Sequence, residues 1–132
     1  MAMTLEQARQ AIVGRMASFA GIDQSRIHYP NMPNFSVPAE GLWCRLNILG
    51  GQSFIAGLGD VPSTRRTGTI NIQCFTRPNT GEKAVTELCD ALLAHFEYFT
   101  ESYLECLQGG VVNAGKDNDF LQYNVVVGYR VN

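Results

Sequence analysis

The sequence predicts an α+β fold: a mostly antiparallel sheet of about five to six strands, with two helices packed on one face. Two amphipathic stretches with apolar residues three and four apart, near the start and in the middle of the chain, supply the helices. Three stretches of strict apolar and polar alternation, each bounded by Gly, Pro or Asn, supply the longest strands. At 132 residues, 45% hydrophobic and 17% charged, the chain fits a single globular domain spanning residues 1–132.

The first helix starts at Thr4, where Thr4-x-x-Gln7 has the pattern of a capping box. Leu5, Ala8, Ile12, Met16 and Phe19 form its apolar stripe, Arg15 is expected toward solvent, and Gly21 ends it. A short strand over Arg26–Tyr29 gives way to a proline-rich loop. Leu42–Leu49 alternates Leu42, Cys44, Leu46 and Ile48 against Trp43, Arg45 and Asn47, so one face is built for burial. Gly50-Gly51 reads as a tight hairpin turn with Gln52–Leu58 returning, and Gly57 and Gly59 as turn or bulge residues.

Asp60–Gly68 is polar and carries Arg65 and Arg66. In the strand that follows, Ile70, Ile72 and Cys74 face one side and Thr69, Asn71 and Gln73 the other. Thr80 is placed to cap a second helix over Glu82–Phe99, with Val85, Leu88, Leu92, Phe96 and Phe99 as its stripe and Cys89 beside them. Thr100–Gly110 is expected as a connection with a short helical piece at Tyr103–Leu107, followed by a brief strand at Val111–Ala114 and a polar turn at Gly115–Asp119. Phe120–Val131 closes the chain as a long, central strand.

A formal net charge of −2 and no basic cluster beyond Arg65 and Arg66 give no surface for tracking phosphates, which argues against direct nucleic-acid binding. No basic region leads into an apolar run at the start, and no stretch approaches membrane-spanning length; a cytoplasmic protein without a membrane partner is the expectation. Cys44, Cys74, Cys89 and Cys106 include no C-x-x-C pair; Cys44, Cys74 and Cys89 fall on faces expected to be buried, so core packing is favoured over metal binding, Cys106 has no assigned place, and the expected cofactor and metal complement is none. Gly57 and Gly59 lack the lysine and hydroxyl of a phosphate loop, and Asp117, Asn118 and Asp119 lack the ligand spacing of a calcium loop.

The sheet face away from the helices carries Trp43, Arg45, Asn47, Asn71, Gln73, Phe75, Asn124 and Arg130, a mixture typical of protein interfaces. Trp43 and Phe75 are candidate anchors and Arg45, Arg65 and Arg66 candidate polar contacts. Glu82, Glu87 and Asp90, on the outer side of the second helix, are candidate acidic partners in a neighbouring subunit. A competing reading is a small cysteine-dependent enzyme, with Cys44 or Cys74 as nucleophile, His28 or His95 as base and Asp23 or Asp90 as orienter.

Several features in order resemble the tail terminator-like proteins of tailed bacteriophages and prophages. They are the Tyr29-Pro30-Asn31 loop, the strand Trp43–Ile48, Leu58-Gly59 followed by Arg66-x-Gly68, the strand Ile70–Phe75, Thr80-Gly81-x-x-Ala84-x-x-x-Leu88-x-Asp90-x-Leu92, and the strand Tyr123–Tyr129. The resemblance implies a non-enzymatic virion structural protein forming a homohexameric ring. Such a ring sits at the head-proximal end of the tail tube, stops tube polymerisation and offers the head-joining surface. It implies three partners: further copies of the chain, the major tail tube protein and a head–tail connector. The protein would be found in the host bacterial cytoplasm during assembly and then in the virion tail. A neck or head-closure adaptor shares this architecture.

Overall fold

The computed structural model describes residues 3–57, 63–116 and 119–132, with the backbone alone for 51–57 and 63–65. Gly59, the Asp60–Pro62 part of the polar loop, the Arg65 side chain, and Asp117 and Asn118 of the expected turn lie outside the described residues. The elements run α1 (Leu5–Ala17), β1 (Ile27–His28), β2 (Trp43–Gly57), β3 (Ser63–Thr76), α2 (Lys83–Phe96), β4 (Thr100–Glu101), β5 (Leu104–Lys116) and β6 (Leu121–Val131). The strands make one sheet in the order β1-β2-β3-β6-β5-β4. Every pairing is antiparallel except β1 with β2, so the sheet is mostly antiparallel, and β6 lies inside it as the sequence predicts.

Period-two alternation sorts the strands into two faces. Cys44, Leu46, Ile70, Ile72, Cys74, Tyr123, Val125, Val127, Tyr129 and Val131 are buried together with Ile12, Met16, Val85, Leu88, Leu92 and Phe96 from the helices. Both helices therefore cover the same side of the sheet. A fully buried Leu or Ile contributes about 1.5–3 kcal/mol relative to leaving it in water, and this shared layer is the main force holding helices to strands.

The capping box forms as expected: Gln7 N–H donates to Thr4 Oγ1 at 3.1 Å and Thr4 N–H to Gln7 Oε1 at 2.9 Å. Leu5, placed in the apolar stripe by spacing, is instead 71% exposed, because α1 meets the core through Ala8, Ala11, Ile12 and Met16. Arg15, expected in solvent, docks on α2: its Nε donates to the His95 carbonyl at 2.8 Å and its guanidinium lies 4.5 Å from the centre of the Phe99 ring. Beyond α1, Gln24 Nε2 donates to the carbonyls of Met16 and Phe19, satisfying acceptors that the helix end leaves open.

Three expectations change. Gly50-Gly51 is not a hairpin turn: Gly50 lies within β2 opposite Gly68, β2 continues to Gly57, and the extra residues are absorbed as a register shift between Gly50 and Ser53. Thr80 does not cap α2, because its hydroxyl donates to the Arg77 carbonyl at 2.7 Å within the preceding turn; the N-cap position is Glu82, without a side-chain cap bond. The stretch 100–110 holds no helix: Thr100–Glu101 and Leu104–Glu105 pair as a hairpin, and β5 runs on through Val111–Ala114 to Lys116. A shift between Cys106 and Gly109 resets its alternation.

Candidate subunit interface

The bare sheet face has two zones. At the end where β2 begins and β3 finishes, Trp43 and Phe75 are register partners and stack with ring centres 4.2 Å apart and planes 13° apart. Phe120, just before β6, meets both rings edge-on, and Phe35 from the proline-rich loop lies 5.5 Å from Trp43. His28 stacks on the outer side of Phe35 at 4.6 Å. Arg77 lies over Phe120 and donates to the Pro38 carbonyl at 2.7 Å, tying the loop to the sheet. Trp43 is left 5% exposed and Phe75 6%. The expectation that these two rings stand open as interface anchors is corrected: loop aromatics of the same chain cover them as a second, smaller core. Packing holds Trp43 there; its Nε1 is buried and has no hydrogen-bond partner among the described residues.

Beyond the aromatic zone the face is polar and half-buried. Arg45 Nε donates to Gln73 Oε1 at 2.6 Å, and Asn47 Nδ2 shares that acceptor at 3.2 Å. Gln122 Nε2 donates to Asn124 Oδ1 at 2.8 Å, and the Arg130 guanidinium takes one Glu105 carboxylate oxygen at 2.7 and 3.0 Å. Asn71 Oδ1 is buried here without a donor. No helix lies over these groups among the described residues, so their ordering comes from one another.

The other candidate contacts do not join this patch. Arg66 pairs with Val131, a core-side residue, and lines a small cleft with Met3, Thr4 and Leu5 at the start of α1. It is exposed, on the helix side of the sheet. Glu82 accepts from the Tyr123 hydroxyl at 3.0 Å, and this bond, with burial, raises the phenol above its ordinary range. Its negative charge also complements the α2 N-terminus. Glu87 sits 3.9 Å from Lys83 one turn back, and Asp90 is exposed on the outer surface of α2. Arg45 and the acidic α2 residues thus occupy opposite sides of a two-layer domain.

The parts of the alternative catalytic reading are dispersed. Cys44, Cys74, Cys89 and Cys106 are all buried and unbridged. Burial pushes the Cys44 thiol up to about 12 and the Cys106 thiol to about 11. The contact with Cys89 and burial raise the Cys74 thiol, while the same contact lowers Cys89. His95 Nε2 donates to the Arg15 carbonyl at 2.7 Å, and His28 Nε2 faces the Met32 carbonyl at 3.4 Å. Asp23 accepts from Ser25 N–H and Oγ at the turn after α1. Each group serves its local fold. Among the described residues no cluster of His, Cys, Asp and Glu is arranged to hold a metal ion, and no helix is long and apolar enough to cross a membrane.

Sequence alone would have missed Phe35 and Phe120, the rings that close the aromatic zone. Their signal is a lone phenylalanine beside polar residues, Asn34-Phe35-Ser36 in the proline-rich loop and Asp119-Phe120 at the expected start of the last strand, which begins one residue later at Leu121.

No family model matches the chain, and no curated protein matches its sequence. Among solved structures, one whose name carries no functional description superposes with a TM-score of 0.74 at 15% sequence identity, over 98% of this chain and 96% of that one. At that identity the likeness shows a shared fold across the full domain.

Proposed function

We propose that this chain is a virion assembly protein of the tail terminator type, forming a ring at the head-proximal end of a phage tail tube. There it stops tube polymerisation and presents the surface to which the head joins. Its partners on this reading are further copies of itself in a homohexamer, the major tail tube protein and a head–tail connector. It works in the host bacterial cytoplasm during assembly and remains in the tail.

The observation that carries the proposal is the one-sided layering. Both helices cover one face of the sheet, while the other face keeps Arg45, Asn47, Asn71, Gln73, Asn124 and Arg130 half-buried under no second layer. A ring needs two different surfaces on each subunit, and the cationic, amide-rich sheet face and the acidic outer side of α2 are such a pair. Buried thiols and structurally engaged histidines favour an assembly role over cysteine chemistry.

Native mass spectrometry across a concentration series, with and without magnesium, paired with negative-stain images, tests the proposal. Six-fold rings support it. A strict monomer throughout, which also fails to bind the end of assembled tail tubes, overturns it.

A further inference from the structure

Two edges of the sheet are open over most of their length. On one side, among the described residues, β1 pairs with β2 at Cys44 and Arg45 alone, leaving Leu46–Gly50 and the strand beyond paired with β3. On the other, β4 covers β5 only at Leu104 and Glu105; backbone bonds from Phe99 and Tyr98 extend that cover to Leu107, and Glu97 accepts from Gly109 N–H. From Gly110 to Asn113 no backbone bond joins β5 to anything but β6 among the described residues. Open edges are usually short, charged or broken by proline. Leu46–Gly50 and Gly110–Asn113 contain neither a charge nor a proline, and they expose Leu49 (54%) and Val112 (55%).

The two edges also match in direction. β2, β3, β6 and β5 alternate down the sheet, so β2 and β5 run opposite ways. If copies are repeated by a rotation that preserves strand direction, β5 of one copy meets β2 of the next antiparallel, and the sheet continues unbroken. Register places Leu49 opposite Thr69, and Val112 opposite Asn124, on the same bare face. In such a joint Leu49 and Val112 become neighbours on one side of the sheet.

We infer that the chain binds a second copy of itself edge to edge, with Leu46–Gly50 of β2 adding to Gly110–Asn113 of β5 in an antiparallel, head-to-tail joint. The inference rests on the self-assembly reading above but competes with the pairing of sheet face and α2 offered there, because a continued sheet keeps every bare face on the same side. Backbone hydrogen bonds supply the attraction, and the Leu49 and Val112 side chains fix the alignment.

Cross-linking tests it, since the native thiols are buried and both target positions are exposed. Leu49→Cys, Val112→Cys and the double variant are treated with a short bismaleimide in folded protein, and rings are counted by negative stain in the same samples. The expected result is a ladder of covalent oligomers from the double variant, heterodimers from a mixture of the two single variants, and none from either alone. Dimers from Val112→Cys alone would show two β5 edges meeting about a two-fold axis and overturn the inference. Rings without a ladder would overturn the edge contact and leave the ring reading standing. Absence of both rings and ladder, with no binding to tube ends, would overturn both.

Discussion

Arg15 and His95 exchange hydrogen bonds between the two helices: Arg15 Nε donates to the His95 carbonyl at 2.8 Å, and His95 Nε2 donates to the Arg15 carbonyl at 2.7 Å. Both acceptors lie in the last turn of a helix, where backbone carbonyls run short of intrahelical donors; the Arg15 carbonyl also accepts from Ser18 N–H and Oγ. Phe19 and Phe96 pack edge-on against the His95 ring, and Phe99 lies under the guanidinium. The pair therefore fixes how α1 and α2 sit together on the sheet.

Arg15→Ala should destabilise the fold by about 1–3 kcal/mol, because it removes a charged donor and its packing on Phe99. His95→Leu should cost less, because the Arg15 carbonyl still accepts from Ser18 Oγ at 2.7 Å and Ser18 N–H at 3.2 Å and only the His95 bond and part of its ring packing are lost. In urea unfolding, the double variant should lose less than the sum of the two single losses, since the bonds share one contact.

Trp43→Ala should unfold the protein more readily rather than merely weaken assembly. The ring is 5% exposed and stacked on Phe75, and truncating a buried Trp costs about 3–5 kcal/mol. Phe120→Ala removes the edge-on cover of both rings and should have a smaller effect in the same direction. Chemical denaturation of monomeric samples measures both, and an unchanged midpoint for Trp43→Ala would remove the small core from the account.

These cases show what the sequence could convey. β6, most of α2 and the Thr69–Thr76 part of β3 were legible because each keeps one period against one continuous core, whereas Ser63–Gly68, expected as polar loop, belongs to β3 and α2 stops at Phe96 short of Phe99. β5 was not. Its bulge between Cys106 and Gly109 shifts the alternation midway, and residues from Gly110 onward are exposed on both faces, so no pattern marks them. The bare face was legible in composition, but Trp43 and Phe75 looked like anchors because their covers, Phe35 and Phe120, come from loops. Arg66 and Arg45 looked equivalent, yet the pleat sends them to opposite sides of the sheet.

Gly68→Ala should be among the most damaging small substitutions. A Cβ there would lie 2.4 Å from Cζ and the hydroxyl of Tyr129 and 2.5 Å from the Leu49 carbonyl oxygen. The tyrosine ring can shift, but a backbone oxygen in the neighbouring strand cannot move without disturbing the β2–β3 pairing. We expect a loss of about 1–3 kcal/mol. Gly14→Ala, in α1 with nothing near its Cβ, should instead stabilise the helix by about 1 kcal/mol. Thermal midpoints of the two variants should therefore move in opposite directions.

The raised Cys44 and Cys106 thiols should make stability fall on the alkaline side. The folded state holds Cys44 up to about 12 and Cys106 to about 11, against an ordinary thiol value of 9.0. As pH rises past 9 the unfolded chain releases these protons first, so the native state then binds more protons and stability falls with pH. The contribution is fully present below pH 9 and is lost as pH rises toward about 12. In parallel, iodoacetamide at pH 7.5 should label the thiols slowly in folded protein and all four after denaturation. Fast labelling of one thiol in the native state would revive the catalytic reading.

Arg45 allows the bare face to be tested without disturbing the fold. Its guanidinium lies 5.5 Å from the Phe75 ring centre, and its bond to Gln73 is shared with Asn47. Arg45→Met keeps an unbranched apolar stem over Phe75, and Gln73 Oε1 still accepts from Asn47, so monomer stability should change by less than about 1 kcal/mol. If the face meets the acidic outer side of α2 in the next subunit, loss of the cation should lower the oligomer fraction at a given concentration. Arg45→Glu, which sets like charges against Glu87 and Asp90, should lower it further. Added salt should weaken the wild-type oligomer and partly restore the Arg45→Glu variant, since screening acts on attraction and repulsion alike. Analytical ultracentrifugation at two salt concentrations reads all three proteins, and identical oligomer fractions would take the bare face out of the subunit contact.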